Sequence, residues 1–297
     1  MSDAVISRAR SYRERTVSAR DGAALYVRDY GEPLDSRTPL FCLPGFTRDS
    51  RDFHEVALRH AGSRRGVCPD LRGRGRSPRT TDPTRYSPTS LLEDVIDLLD
   101  ALGMARAIVL GASFGGFLAM GLGAARPRSL VGVILNDVGP EVDPGEIDTI
   151  AGYIAEHRPQ PSWDAAARHG RELLGRDWAR QDDATWLRLA RQSYSEAPDG
   201  SLRLDFDPAI GQPLKAMMRG GGSSDTPDLW RLFGTLRAVP TLVLRGAVSR
   251  ILTEQTLERM KTAKPDLLAV TVAGVGHMPL LDEPESSEAI DGFLARF

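Results

Sequence analysis

The run Ala107-Ile108-Val109-Leu110-Gly111-Ala112-Ser113-Phe114-Gly115-Gly116 constrains this chain more than any other stretch. Four apolar residues, Ala107 to Leu110, read as a buried strand that enters Gly-x-Ser-x-Gly, and the residues after Ser113 read as a helix to about Ala125. A strand that turns into a helix within so few residues needs small side chains two places before and two places after the turn, because larger ones collide across it. Gly111 and Gly115 meet that demand. The turn also sets the Ser113 hydroxyl at a helix start, where unpaired backbone N–H groups and the helix dipole favour negative charge in a transition state. Ser113 is therefore a candidate nucleophile, and Phe114 a candidate source of one such N–H. The alternative is a glycine-rich turn that happens to hold a serine; the flanking strand and a third glycine, Gly116, weigh against it.

The remaining pattern is that of an α/β chain. Thr16 to Ala19 and Ala24 to Tyr30 read as strands joined at Asp21-Gly22, a hairpin signal. Pro39 to Leu43 and Leu130 to Leu135 are short continuous apolar runs with the character of strands covered on both faces, and Gly66 to Asp70, Pro240 to Gly246 and Leu268 to Val272 read as further strands. Between them lie helical periodicities, the clearest being Leu91, Leu92, Val95, Leu98, Leu99 and Leu102, started by Ser87-Pro88 and stopped by Gly103. This alternation predicts a mostly parallel eight-stranded sheet with helices on both faces. It breaks after Asn136-Asp137-Val138-Gly139, where about ninety residues turn helical and polar-faced. The expected division is core over 1–139, an inserted helical cap over 140–229, and core again over 230–297.

Composition narrows the function by exclusion. Thirty-eight Lys and Arg against 40 Asp and Glu leave a formal charge of −2, which points to no nucleic acid and no anionic membrane as partner. No run spans a bilayer, and the arginine-dense start (Arg8, Arg10, Arg13, Arg15, Arg20) is unlike a secretory signal peptide, so a cytoplasmic location is expected. Cys42 and Cys68 sit in buried-strand runs as small hydrophobes, and the five histidines are scattered, so neither metal nor cofactor is expected. The Arg72-Gly73-Arg74-Gly75-Arg76 loop lacks the pattern of a phosphate cradle and reads as a structural turn in which Arg72 pairs locally.

With Leu43-Pro44-Gly45-Phe46-Thr47 after the third strand, the elbow at Gly111 to Gly116, the break after the sixth strand, and Gly276-His277 after the last, the chain resembles the α/β-hydrolase superfamily, in its capped, epoxide-hydrolase-like and esterase-like branch. The resemblance implies that Ser113 attacks a carbonyl, that His277 takes and returns its proton, and that the backbone N–H groups of Phe46 and Phe114 bind the oxyanion. Serine at the elbow sets the chain apart from epoxide hydrolases and haloalkane dehalogenases, which carry aspartate there. The implied substrate is a small molecule bearing a carboxylic ester or related carbonyl. An apolar group on it is implied by the cap content, including Trp163, Trp186, Met217, Met218 and Trp230, although packing accounts for those residues equally well. Lactones and carbon–carbon bonds are cleaved on the same residues, and Met278 replaces the tryptophan that commonly follows the histidine in carbon–carbon hydrolases.

One position departs from the family. Where the triad acid is expected, beyond the seventh strand, the chain has Arg250, which offers no acceptor to a histidine N–H. Three readings stay open: a weakened enzyme, a substitute carboxylate, or a ligand-binding relative without catalysis. Asp137, at the end of the sixth strand, is the best substitute, with a hinge residue paired to an arginine as its alternative role. The sequence leaves the oligomeric state open.

Overall fold

A computed structural model describes residues 11–155, 157–213 and 228–297. Met217, Met218, Arg8 and Arg10 lie outside the described residues. The main sheet has eight strands: β1 Arg13–Ser18, β2 Ala24–Tyr30, β3 Leu40–Leu43, β4 Gly66–Pro69, β5 Ala107–Ala112, β6 Leu130–Asn136, β9 Thr241–Gly246 and β10 Leu268–Val272. Their order is β1-β2-β4-β3-β5-β6-β9-β10. β2 runs antiparallel to both neighbours and every later pair is parallel, so the hairpin at Gly22 opens an otherwise parallel sheet. β1 begins three residues earlier than the apolar pattern indicates, because its Arg13 and Arg15 are held by Asp29 of β2 through ion pairs that hydropathy does not register.

Strand side chains alternate between two apolar layers, as the two-residue period of a strand requires. Phe41, Leu43, Val109, Val133, Leu135 and Val243 face one layer, closed by α2 (Pro88–Ala101), α3 (Phe114–Ala125) and α8 (Glu254–Ala263). Leu40, Cys42, Ile108, Leu110, Ile134 and Leu244 face the other, closed by α1 (His54–His60) and α9 (Pro284–Leu294). This is the α/β-hydrolase fold. β5 lies near the middle of the sheet, so the turn that follows it is flanked by the loops after β3, β6 and β9.

Between β6 and β9 the chain forms α4 (Pro144–Ala155), α5 (Trp163–Leu174), α6 (Asp183–Ser193), an antiparallel pair β7 (Tyr194–Glu196) and β8 (Leu202–Leu204), and α7 (Leu229–Gly234). Ile154, Ala166, Ala190, Tyr194, Leu202, Leu204 and Phe206 pack together in this segment, and Tyr86 from outside it is buried with them. α7 belongs elsewhere: Phe233 packs into the sheet's apolar layer, Trp230 lies against it, and the Trp230 indole donates to Glu141 at 3.0 Å.

Polar contacts fasten the segment to the sheet domain. Arg51 donates to Tyr194 O at 2.9 Å and pairs with Asp205 at 2.8 Å. Gly75 N–H donates to Asp205 O at 2.8 Å, Asp207 N–H to Gly73 O at 2.7 Å, and Arg188 pairs with Asp282 at 2.7 Å. The glycine-punctuated basic loop is thus a junction. Arg72 is buried in it and pairs with Asp94 at 2.7 Å and Asp21 at 2.9 Å. Beneath the loop, Asp70 accepts from Ser50 N and Arg76 N, both at 2.8 Å, and Gly75 has a φ of +53° with a would-be Cβ only 2.3 Å from the Asp70 carboxylate. Burial, followed by the charge of Asp49, pushes the Asp70 carboxyl up to about 7.

Candidate active site

β5 delivers Ser113 into a φ of 50° and ψ of −117°, and α3 starts at the next residue. A non-glycine residue in that region costs about 1–3 kcal/mol, which the surroundings must offset. Here the Ser113 N–H donates to Asn136 O at 2.9 Å and the Ser113 carbonyl accepts from Gly116 N at 2.8 Å. The glycines are required by space. A Cβ on Gly111 would lie 2.5 Å from Gly115 O, one on Gly115 would lie 2.1 Å from Leu43 O, and one on Gly116 would lie 2.3 Å from a methyl of Val138.

His277 reaches Ser113 from the loop after β10, with Nε2 2.7 Å from the Ser113 hydroxyl. Its Nδ1 is 2.7 Å from Asp137 Oδ2. Asp137 is wholly buried just past β6 with a φ of 56°. Its Oδ1 accepts from Gly246 N at 2.9 Å, and its Oδ2 also accepts from the Ser249 hydroxyl at 2.5 Å. The carboxylate therefore has three hydrogen-bond partners, which fix its orientation. Arg250 is elsewhere. Its side chain is 66% exposed and its Nη1 stands 3.8 Å from Glu146 Oε1 on α4. The structure brings Ser113, His277 and Asp137 together and leaves Arg250 at the rim, so Asp137 is not an arginine-paired hinge.

The loop after β3 closes on the same point. A Cβ on Gly45 would lie 3.7 Å from Ser113 Cβ, and the Phe46 and Phe114 rings meet edge to face at 5.2 Å. Phe114 is the first helical residue, so its N–H has no intrahelical acceptor. The Phe46 carbonyl accepts from Arg74 Nε at 2.8 Å. Arg74 is fully buried between the Phe46 and Tyr86 rings, and burial lowers the affinity of its guanidinium for the proton.

Above Ser113 lies a cleft of about 280 Å³ between the sheet's loops and the inserted segment. Phe46, Ile150, Tyr153, Leu173, Leu174, Trp178, Ile251 and Met278 give it a mainly apolar wall, and burial pushes the Tyr153 phenol up. Arg48, Glu146, Arg176 and Asp177 supply charge, with Arg48 bound to Asp52 and Arg176 to Glu146. The tryptophans divide otherwise than the sequence indicates. Trp178 lines the cleft. Trp186 packs edge-on against it at 6.0 Å, Trp163 lies under Arg191, and Trp230 packs against the sheet's apolar layer. Aromatic content marks apolar volume without saying which ring faces a ligand, and Ser249 and Asp177 carry no motif that would single them out.

The family model described as "Alpha/beta hydrolase family" matches residues 40–287. Among curated proteins, the chain is 31% identical over 260 residues to a 3-hydroxybutyrate-oligomer hydrolase of Cupriavidus necator, covering 86% of this chain and 87% of that one. It is 28% identical over 244 residues to a 2-hydroxymuconate semialdehyde hydrolase of Pseudomonas putida, covering 80% of each. Among solved structures, an alpha/beta hydrolase from Novosphingobium aromaticivorans superposes with a TM-score of 0.89 at 40% identity, covering 97% of this chain and 99% of that one.

Proposed function

The chain belongs to the alpha/beta hydrolase family, and from that premise we propose that it hydrolyses a carboxylic ester through an acyl-enzyme on Ser113. The observation that carries this reading is the continuous relay from the Ser113 hydroxyl to His277 Nε2 and from His277 Nδ1 to Asp137, 2.7 Å at each step. In the forward step Ser113 Oγ bonds to the ester carbonyl carbon and its proton passes to Nε2. The imidazolium is stabilised by the Asp137 carboxylate. The carbonyl oxygen, now negative, accepts from the N–H groups of Phe46 and Phe114. As the tetrahedral species collapses, the C–O bond to the alcohol breaks and Nε2 returns the proton to the departing oxygen. A water then gives its proton to Nε2, attacks the acyl carbon and releases the acid, restoring Ser113.

The cleft sits just below the usual range of drug-sized pockets, which favours a short acyl or alcohol group. The 3-hydroxybutyrate-oligomer hydrolase among the relatives directs the choice to short hydroxyacyl esters. A second reading, carbon–carbon hydrolysis, draws on the Pseudomonas putida relative, and Met278 after the histidine speaks against it. Arg250 gives no support to a non-catalytic relative, since it is paired at the rim while Asp137 faces the imidazole.

The test is a panel of short-chain esters, a 3-hydroxybutyrate dimer and a vinylogous diketone, run beside fluorophosphonate labelling. Turnover of the esters with labelling at Ser113, both lost in Ser113→Ala, is expected. Turnover that survives Ser113→Ala, or is confined to the diketone, refutes the ester reading.

A further inference from the structure

The loop that carries His277 is held from two sides. From the sheet, Asp137 grips the imidazole. From the inserted segment, one turn, Arg176-Asp177-Trp178 between α5 and α6, takes three backbone groups in succession. Gly276 N–H donates to the Asp177 carbonyl at 2.6 Å, His277 N–H donates to Asp177 Oδ1 at 3.1 Å, and the Trp178 indole N–H donates to the Met278 carbonyl at 2.9 Å. Asp177 and Trp178 are buried. Gly276 has no alternative at this junction, since a Cβ there would stand 2.3 Å from Asp177 Oδ1.

We propose that Asp177 is a positioning residue for His277, so that the segment above the sheet is part of the catalytic machinery as well as the wall of the cleft. The proposal rests on the Ser113–His277–Asp137 reading. The imidazole can span both Ser113 and Asp137 only while the backbone it hangs from is fixed, and a displacement of about 1 Å in a reacting group costs on the order of a hundredfold in rate. Asp177 fixes that backbone at two consecutive N–H groups. Arg176 bears on the same carboxylate, with Nε 3.4 Å from Asp177 Oδ2, and also reaches Glu146 on α4. Arg176, Asp177 and Trp178 line the cleft together with Ser113 and His277, so a substrate seated there touches the turn that sets the histidine.

The experiment compares Asp177→Ala, Asp177→Asn and wild type in ester turnover, fluorophosphonate labelling rate and thermal melting. Asp177→Ala should lose about ten- to a hundredfold in kcat with KM little changed, and the labelling rate should fall in step. Asp177→Asn should recover most of the loss, because its amide oxygen accepts from His277 N–H. Wild-type labelling in Asp177→Ala, with only KM moved, overturns the proposal, as does an equal loss in Asp177→Asn at unchanged melting temperature. Should Asp177→Ala fail to fold, Trp178→Phe removes the indole donor together with part of the cleft wall; labelling by a small fluorophosphonate must slow severalfold, and an unchanged rate is again fatal. Ser113→Ala separates the two levels. Turnover surviving in Ser113→Ala overturns the triad reading and this proposal together, whereas a dead Ser113→Ala beside a fully active Asp177→Ala overturns this proposal alone.

Discussion

Asp137 Oδ2 lies 2.7 Å from His277 Nδ1, although the two residues are 140 positions apart and the family's usual place for the acid holds Arg250. Asp137→Asn should therefore lower kcat by about ten-thousandfold, the cost of leaving a catalytic histidine in the wrong tautomer. Arg250→Asp should bring no gain, because position 250 faces the rim. Steady-state kinetics on both variants with one ester decide the matter, and a steep gain in Arg250→Asp would contradict this assignment.

Ser249→Ala should cost roughly ten- to a hundredfold in kcat. It removes a hydrogen bond to a buried carboxylate, worth about 1.5–3 kcal/mol, and leaves Asp137 Oδ2 with His277 alone. Ser249→Thr, which keeps the hydroxyl, should retain more activity than the alanine variant. Wild-type kcat in Ser249→Ala would show that the carboxylate does not depend on this donor.

Gly115→Ala should damage stability and activity together. Its methyl would meet the Leu43 carbonyl at 2.1 Å, a backbone atom with no rotamer to yield, so β3 and α3 must separate. Overpacking of about 1–3 kcal/mol lowers the melting temperature by several degrees in a chain of this size and displaces Ser113 from His277. Melting and labelling measured on the same preparation check this; an unaltered melting temperature would mean that the turn has slack.

The fold should lose stability as the pH rises through neutrality. The folded chain holds a proton on Asp70 up to about pH 7, whereas the unfolded chain releases it near the ordinary 3.8. In that interval the native state binds more protons. The contribution is therefore full below the ordinary value and is lost as pH climbs through about 7. Denaturant melts of wild type and Asp70→Asn at pH 5 and pH 8 should show a pH-dependent fall that is smaller in the variant, and parallel curves would count against it.

The elbow was legible because its demand is local: a strand, a serine and a helix in ten residues leave space only for glycine at Gly111 and Gly115. The sheet was legible for a similar reason, since doubly covered strands such as Leu40–Leu43 must be apolar throughout. What links Asp137 to His277 is the path of two loops, and sequence spacing does not encode a path. Ser249 and Asp177 escaped because their hydrogen-bond partners are set by the chain path around them and by no motif. Trp178 and Trp186 look alike in sequence, yet only the first faces the cleft.

Arg51 ties the inserted segment down at a second place, through Tyr194 O and Asp205, while Gly73 and Gly75 bond residues 207 and 205. A chimaera that grafted another protein's residues 140–228 onto this sheet would have to match both anchorages. Engineering of substrate range is therefore better pursued by point changes at Ile150, Leu173 and Ile251, which face the cleft without carrying either junction.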